Sequence, residues 1–256
     1  MPFSRVSSTV MIRTVSEDKV HGVFEVSGLY SGYGLTLGNA LRRVLLSSLP
    51  GAAVTYVKIK NVPHEFSTLP GVKEDIVELM LRFKKLRLAM HVDEPQVLTL
   101  KAKGQKAVTA GDIKVSSDVE IVNPDLVLAT LTTKNAELDM EITVERGLGY
   151  STVESRKQEK LEIGILPVDA FFSPVVKVHY SIENMRVGER TDYNRLVLDI
   201  TTDGTVSPSS ALHKAASIFK DHFEKIGDLP VKEFEKGEER PAAKKKRGKS
   251  KEDATS

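Results

Sequence analysis

The sequence predicts an α+β fold in which β-sheet is the main material and three helices interrupt it. Apolar and polar residues alternate as in half-buried strands, most clearly in VTYVKIK from Val54, VLTLKAK from Val97 and ELDMEITVERG from Glu137. Three other segments have helical spacing. No long Ser/Gly linker separates residues 1–230, so we expect any second domain to be an insertion within the first.

Two of the three helices are predicted in the first third of the chain. The first runs from Thr36, its predicted N-cap, to Ser48, and its apolar face comprises Leu37, Leu41, Val44 and Leu45. The second runs from Val72 to Leu86, with acidic residues early and lysines late, as suits the helix dipole. Its apolar stripe comprises Val72, Ile76, Leu79 or Met80, and Phe83.

An arginine pair lies in the middle of the first predicted helix. Arg42 and Arg43 lie beside its apolar stripe, and Leu46 follows within one turn. Two interpretations are open. The pair is either a solvated part of an amphipathic helix, or one guanidinium binds a partner through paired hydrogen bonds while Leu46 adds an apolar anchor.

The third helix is predicted from Ser207 to Ile226, with Ser207 as its cap, Pro208 at its first position and Gly227 at its end. Its apolar stripe is broader than one packing face needs, which indicates a second neighbour. That neighbour is either another part of the same chain or the same helix of another subunit. The stripe comprises Ala211, Leu212, Ala215, Ala216, Ile218, Phe219, Phe223 and Ile226.

Charge is distributed unevenly along the 256 residues. Residues 231–256 hold nine Lys/Arg and six Asp/Glu with few apolar residues, so we expect a disordered charged tail from residue 230. Lys244 to Arg247 could contact phosphates weakly, although no aromatic residues are interleaved for base stacking. The rest of the chain is almost neutral, which argues against a surface built to wrap duplex DNA.

Composition and motifs indicate no chemistry on this chain. It has no cysteine, which excludes thiolate nucleophiles and cysteine-held metals, and no apolar stretch long enough to span a bilayer or act as a signal peptide. The six histidines form no HExxH pair, and no GxSxG or GxxxxGK motif occurs. We therefore expect a cytosolic protein with no catalytic, cofactor-binding or metal-ligating residue.

Three short motifs that suggest chemistry have simpler interpretations. His64 is followed by Glu65 and Ser67, but adjacent loop residues form no triad unless the fold positions them. Asp203-Gly204 is predicted to be a hairpin turn rather than a magnesium site. Gly147-Leu-Gly149 is too short for a nucleotide-binding loop and predicts a bulge or turn.

A series of motifs resembles one known family. GLTLGNALRRVLLSSLPG from Gly34 resembles the first-helix signature of the alpha subunit of bacterial RNA polymerase. Segments similar to that family then follow in its order across residues 8–229. They are VPHEFSTLPGVKEDIVELMLRFKKL, DVEIVNPDLVLATL, VERGLGY, LPVDAFFSPVVKVHY and ENMRVGERTDYNRLVLDITTDGTVSP.

The resemblance implies a scaffold with two parts. An α/β dimerisation domain would comprise residues 1–51 plus 178–229, and a mostly antiparallel β domain, residues 52–177, would be inserted into it. The family's carboxy-terminal DNA-binding domain has no counterpart here. The two helices at the ends of the ordered region would form the dimer interface through Leu37, Leu41, Val44, Leu45, Leu212, Ala215, Phe219 and Phe223.

The resemblance also implies partners and their contact residues. Arg43 and Leu46 match positions that face the beta subunit, whereas Lys84, Val168 and Val175 match positions implicated in beta prime contact. Omega and sigma would belong to the same complex. The polymerase's magnesium and zinc would be held by other subunits, because nothing here resembles the DFDGD-like aspartate loop of beta prime. The expected function is assembly of a cytoplasmic, nucleoid-associated transcription enzyme.

Overall fold

The computed structural model describes residues 9–156, 162 and 164–230. All strand pairs in this part of the chain are antiparallel, and the α+β prediction is confirmed. The predicted tail, with Lys244 to Arg247, lies outside the described residues. The three helices are Tyr33–Ser47 (α1), Ile76–Phe83 (α2) and Pro208–Gly227 (α3).

Two main sheets organise the described chain. The first sheet contains, in spatial order, Met11–Glu17 (β1), His21–Leu29 (β2), Arg190–Thr202 (β15) and Val175–Val187 (β14). The second contains, in spatial order, Ile113–Lys114 (β7), Gln96–Lys103 (β5), Glu137–Leu148 (β10), Pro50–Ile59 (β3), Leu88–Met90 (β4) and Val119–Ile121 (β8). Ile165–Pro167 (β12) also pairs with β3. Short pairs join Tyr150–Ser151 (β11) to Ala170–Phe171 (β13), and Lys106–Thr109 (β6) to Val127–Leu131 (β9). Short 3-10 helices span Ala110–Asp112 and Glu154–Arg156.

Buried apolar side chains form two large clusters. The first cluster lies between the four-stranded sheet and helices α1 and α3, and comprises Phe24, Val26, Leu29, Leu45, Leu49, Val175, Val178, Leu196, Leu198, Ile200, Ala211 and Ala215. The second cluster draws on residues from Val54 to Val168 and includes the buried side of α2. The alternation predicted for β3, β5 and β10 supplies much of the second cluster, because every second residue points inward. The exact domain boundaries stay a prediction.

Helix α1 has its N-cap four residues earlier than predicted. Gly32, not Thr36, is the N-cap, with a φ of 86° that glycine adopts without strain. The Gly32 N–H donates to Asn194 Oδ1 at 2.9 Å, which anchors this turn to β15. The Thr36 hydroxyl donates to the Gly32 carbonyl at 3.4 Å from inside the helix, so the prediction of Thr36 as the cap is wrong.

Helix α2 is shorter than the predicted 72–86. Asp75 caps it by accepting a hydrogen bond from the Glu78 N–H at 2.7 Å. The residues before this cap are extended instead, because Val72 bridges Leu131 and the Lys73 N–H donates to the Thr130 carbonyl. Pairing with β9 therefore competes with the helix for these residues.

Helix α3 has the predicted start. The Ser207 side chain accepts a hydrogen bond from the Ser210 N–H at 3.3 Å, and Pro208 occupies the first helical position. The preceding Asp203-Gly204 forms a turn, with Asp203 Oδ1 accepting from the Thr205 N–H at 3.0 Å. This turn connects β15 to α3 and not two strands, so the hairpin prediction is wrong.

Candidate functional site

The outer surfaces of α1 and α3 form an apolar face that the rest of the described chain leaves uncovered. We call it the helix face, defined by Leu35, Leu37, Phe219, Phe223 and Ile226. A groove of about 680 Å3 runs across it, lined by Leu35, Thr36, Asn39, Ala40, Arg43, Val44, Ser47 and Phe219. Phe219 and Phe223 stack with their ring centroids 6.0 Å apart, so α3 continues the apolar surface beyond the groove.

The last eleven described residues of the α3 region, 220–230, are all exposed. Among them, Phe223 is 65%, Ile226 63% and Leu229 67% exposed. Phe219, Phe223 and Ile226 follow helical spacing, so they share one side of α3, and Leu229 follows two residues after the helix ends. An aromatic and two aliphatic side chains in contact with water are a contiguous apolar patch of the kind that marks an interaction surface.

The structure divides the predicted dimer-interface residues into two groups. Leu37 and Phe223 are exposed, and Leu41, Val44, Leu212 and Phe219 are half-buried at the edge of the helix face. Leu45 and Ala215 are fully buried, because they point from α1 and α3 onto the four-stranded sheet. Those two side chains stabilise the protomer itself. A partner could contact them only if the core of the protomer were unpacked.

Two residues of this region lie outside the predicted helices. Leu35 precedes the predicted start of the first helix, and Leu229 follows the predicted end of the third. Both are exposed and extend the apolar surface. Continuing the spacing of i, i+3 and i+4 past Ile226 would have included Leu229, whereas Leu35 is not three or four residues from any residue of the predicted stripe.

A second candidate surface surrounds Lys84, just after α2. The Lys84 ammonium donates to Asp169 Oδ2 at 2.8 Å, and the Val153 N–H donates to Asp169 Oδ1 at 2.9 Å. The Lys84 hydrogen bond, followed by that from Val153, holds the pKa of Asp169 below its ordinary value. The Asp169 carboxylate thus joins three segments of chain at one point.

A cavity of about 480 Å3 opens beside this ion pair. We call its outer wall the Lys84 surface, which comprises Glu65, Val77, Leu81, Lys84 and Glu154. Val77 and Leu81 are exposed, because they lie off the stripe through which α2 packs inward. They are one helical turn apart, so they form an apolar strip on a surface whose other side chains are charged. Sequence analysis did not single them out, since it followed only the buried stripe.

The three residues predicted to contact beta prime do not share one surface. Lys84 and Val168 both line the cavity, but Lys84 is partly exposed whereas Val168 is buried, and the Val168 N–H donates to the Thr55 carbonyl at 2.9 Å. Val175 is buried in the first cluster, at the start of β14. A partner could therefore contact Lys84 directly. Val168 and Val175 could affect that partner only indirectly, by supporting the segments that it contacts.

The two residues predicted to face the beta subunit lie one turn apart on α1. Arg43 is exposed and lines the groove of the helix face. Leu46 is half-buried and packs against the first cluster. Arg43 is therefore the more accessible of the two side chains.

The motifs considered for chemistry are not assembled into a site. His64 Nδ1 lies 3.2 Å from Ser67 Oγ on an exposed turn, and no carboxylate of the described residues hydrogen-bonds to this histidine. Residues 9–156, 162 and 164–230 contain no group of three His, Asp or Glu side chains that could hold a metal ion. None of the described helices is long and apolar enough to span a membrane.

Comparison with known proteins shows the family. The model of the RNA polymerase Rpb3/RpoA insert domain matches residues 57–173. The DNA-directed RNA polymerase subunit alpha of Symbiobacterium thermophilum is 53% identical over 210 residues, 82% of this chain and 66% of the relative. That of Carboxydothermus hydrogenoformans is 49% identical over 218 residues, 85% of this chain and 69% of the relative.

The chain belongs to the family of DNA-directed RNA polymerase alpha subunits. It spans about two thirds of the length of the curated relatives that it matches. The insert-domain match contains the Lys84 surface and nearly all of the second cluster. Helices α1 and α3 lie outside it, so in this alpha-subunit chain the two candidate surfaces belong to different parts of the fold.

Proposed function

We propose that this chain is a non-catalytic alpha subunit that forms a homodimer through the helix face and scaffolds the assembly of DNA-directed RNA polymerase. The exposed apolar stripe at the end of α3 carries the proposal. Covering one large apolar side chain contributes about 1.5–3 kcal/mol, so the three exposed ones, Phe223, Ile226 and Leu229, are costly to leave in water. A second copy offers a matching surface, because a two-fold interface joins the same patch of both subunits.

In this proposal the groove on α1 receives apolar side chains from the partner's α3. The groove opens directly beside Phe219, where the exposed part of α3 begins. Contacts within the interface would then be reciprocal. The assembled dimer would leave the Lys84 surface free, because that surface lies on the second cluster and not on either helix of the face.

The dimer would next bind the large subunits, with Arg43 and Leu46 facing beta and the Lys84 surface facing beta prime. Omega and sigma would join the same cytoplasmic, nucleoid-associated complex. The magnesium and zinc of the polymerase would be held by other subunits. The chain would thus contribute positioning to transcription and no reacting group.

Light scattering on the purified chain tests the dimer. The parent is expected to have the mass of two chains, and Phe223→Asp the mass of one, because a carboxylate would otherwise be buried without a partner. Phe223 is exposed in the protomer, so this change leaves the core intact. Lys225→Asp is the matched control, since it places an aspartate at an exposed position two residues from Phe223, which faces another side of α3. A monomeric parent, or a dimeric Phe223→Asp, would overturn the proposed interface.

Co-expression with beta and beta prime tests the scaffold. Although Arg43 lines the groove, Arg43→Ala only shortens a side chain there and adds no charge, so it should remain a dimer and capture less beta. Arg42→Ala, also exposed and one position earlier, should capture as much beta as the parent. Lys84→Ala should bind beta but retain less beta prime, with the exposed neighbour Lys85→Ala as its control. Equal behaviour within a pair would contradict that residue's assignment. A monomeric Arg43→Ala would place this arginine in the dimer contact instead.

A further inference from the structure

A small apolar cluster is separate from the two large ones. It consists of Ala53, Ala170 and Phe172, of which Phe172 is the largest and only 7% exposed. These residues lie where the chain passes between the clusters, outward along β3 and back into β14. The position of Phe172 therefore affects how the two clusters are held together more than how either one is packed.

Two glycines form the seat of Phe172. Gly51 on β3 and Gly147 on β10 are direct partners in the antiparallel register. A methyl group at Gly147 would lie 2.7 Å from the Phe172 ring, and a methyl group at Gly51 would overlap the Phe172 carbonyl oxygen. Both contacts are closer than any side chain permits, so the phenylalanine lies directly against two backbones.

Hydrogen bonds hold both ends of the segment that carries this ring. The Phe172 N–H donates to the Gly149 carbonyl at 2.9 Å, just past the end of β10. Two residues later, the Pro174 carbonyl accepts from the Asp203 N–H at 3.0 Å, at the turn that leads into α3. The segment thus connects the second sheet on one side with the elements of the helix face on the other.

A core residue with no further role would belong to one of the large clusters, and its loss would destabilise that cluster. Phe172 belongs to neither of them. Removing its ring would leave both large clusters packed but would take away the contact between the segments that join them. Domains with a small shared interface move relative to each other unless something fixes them.

We propose that Phe172 is a positioning residue that fixes the orientation of the second cluster relative to the first, and so sets the distance between the helix face and the Lys84 surface. The inference rests on the proposed function for its biological meaning, because a scaffold must present its two contact surfaces at a constant spacing. The ring does this by packing on Gly147, while the Phe172 carbonyl lies against Gly51, the register partner of Gly147.

Spin-label distance measurements test this inference directly. The chain has no cysteine, so Lys19→Cys and Gln105→Cys introduce one label each at exposed positions in the short loops that follow β1 of the first sheet and β5 of the second. Labelled chain is mixed with a large excess of unlabelled chain, so that only distances within one chain are measured. The parent should give one narrow distribution, and Phe172→Ala one roughly twice as broad, since small interfaces between domains permit motion.

Three further variants separate positioning from simple stability. Phe172→Tyr keeps the ring and should restore the narrow distribution. Phe171→Ala removes the exposed neighbouring ring and should leave the distribution unchanged. Gly147→Ala keeps Phe172 but displaces the Phe172 ring, so the mean distance between the two labels should shift. This variant tests the inference if Phe172→Ala does not fold.

Unchanged distributions in both Phe172→Ala and Gly147→Ala would overturn the inference. Light scattering on the same samples reports the dimer independently. A monomeric parent with a narrow distribution would contradict the proposed dimer and leave the positioning role intact. Failure of the proposed function is therefore distinguishable from failure of this inference.

Discussion

Lys84 and Asp169, 85 positions apart in the sequence, form a 2.8 Å charge-assisted hydrogen bond that ties the end of α2 to the segment after β12. Both side chains are partly exposed, at 31% and 26%. The pair therefore stabilises the fold modestly while its outer side remains open to a partner.

Replacing this carboxylate should make stability depend less on pH. We expect Asp169→Asn to lower the free energy of unfolding at pH 7 by about 1 kcal/mol, as for a partly exposed charged hydrogen bond. The pKa of Asp169 is lowered by the Lys84 hydrogen bond. Its contribution is therefore fully present above the unfolded pKa of about 3.9 and is lost as the pH falls through the folded pKa. Urea unfolding of both proteins at neutral and acidic pH measures this difference.

The exposed Asp125→Asn serves as the control for Asp169, and its unfolding free energy at pH 7 should match that of the parent. A gap between Asp169→Asn and the parent that stays constant down to strongly acidic pH would show that the lost interaction is not the ionised pair.

Glu74 should contribute more to the free energy of unfolding than Glu78, although both contact Arg82. Glu74 is buried, and burial raises its pKa. Hydrogen bonds from the Thr130 N–H at 2.7 Å and hydroxyl at 2.9 Å, with Arg82 at 3.1 Å, lower the pKa further than burial raises it. Glu74→Gln should cost about 2 kcal/mol, because it leaves buried donors poorly matched.

Glu78 is half exposed and pairs with Arg82 within one helical turn, so Glu78→Gln should cost less than about 0.5 kcal/mol. Chemical unfolding followed by circular dichroism compares the two variants. Equal costs would show that the buried link from Glu74 to β9 contributes nothing beyond a surface ion pair.

The close approach of α1 to the first sheet should make Gly38 intolerant of a side chain. A methyl group there would lie 2.8 Å from the Tyr180 ring and 2.9 Å from Leu196. Alanine favours a helix over glycine by up to about 1 kcal/mol. Overpacking of this kind costs about 1–3 kcal/mol, so Gly38→Ala should lower the midpoint of thermal unfolding. Asn39→Ala, at the next and exposed position, should leave that midpoint unchanged or raise it.

Loss of the α3 cap should weaken both the helix and the dimer. Ser207→Ala removes the acceptor for the Ser210 N–H and should cost about 1 kcal/mol. Because α3 carries most of the helix face, the dissociation constant from sedimentation equilibrium should rise as well. Ser217→Ala, which removes a hydroxyl bonded to the His213 carbonyl in mid-helix, should change neither quantity appreciably.

Local patterns predicted the parts of the fold that depend on neighbouring residues. The alternation in β3, β5 and β10 and the Ser207-Pro208 start of α3 are confirmed. The start of α1 was missed because its cap depends on Asn194, far along the chain. The length of α2 was overestimated because residues 72 and 73 pair with β9, a contact that periodicity cannot predict.

Only some residues of the candidate surfaces were predicted correctly. The reason is that a sequence pattern shows that a residue is apolar but not what covers it. Phe219 and Phe223 are on the helix face, whereas Leu45 and Ala215, from the same stripes, are in the protomer core. Val77 and Leu81 were missed for the converse reason, since they lie outside the buried stripe of α2.

The sequence by itself determined the α+β class, the strands with clear alternation and the family, because these depend on local periodicity and on an ordered series of motifs. Only the tertiary structure decided which apolar side chains are used within the protomer and which remain for a partner. The physical reason is that burial depends on elements distant in sequence: the four-stranded sheet covers Leu45, while nothing in the described chain covers Phe223.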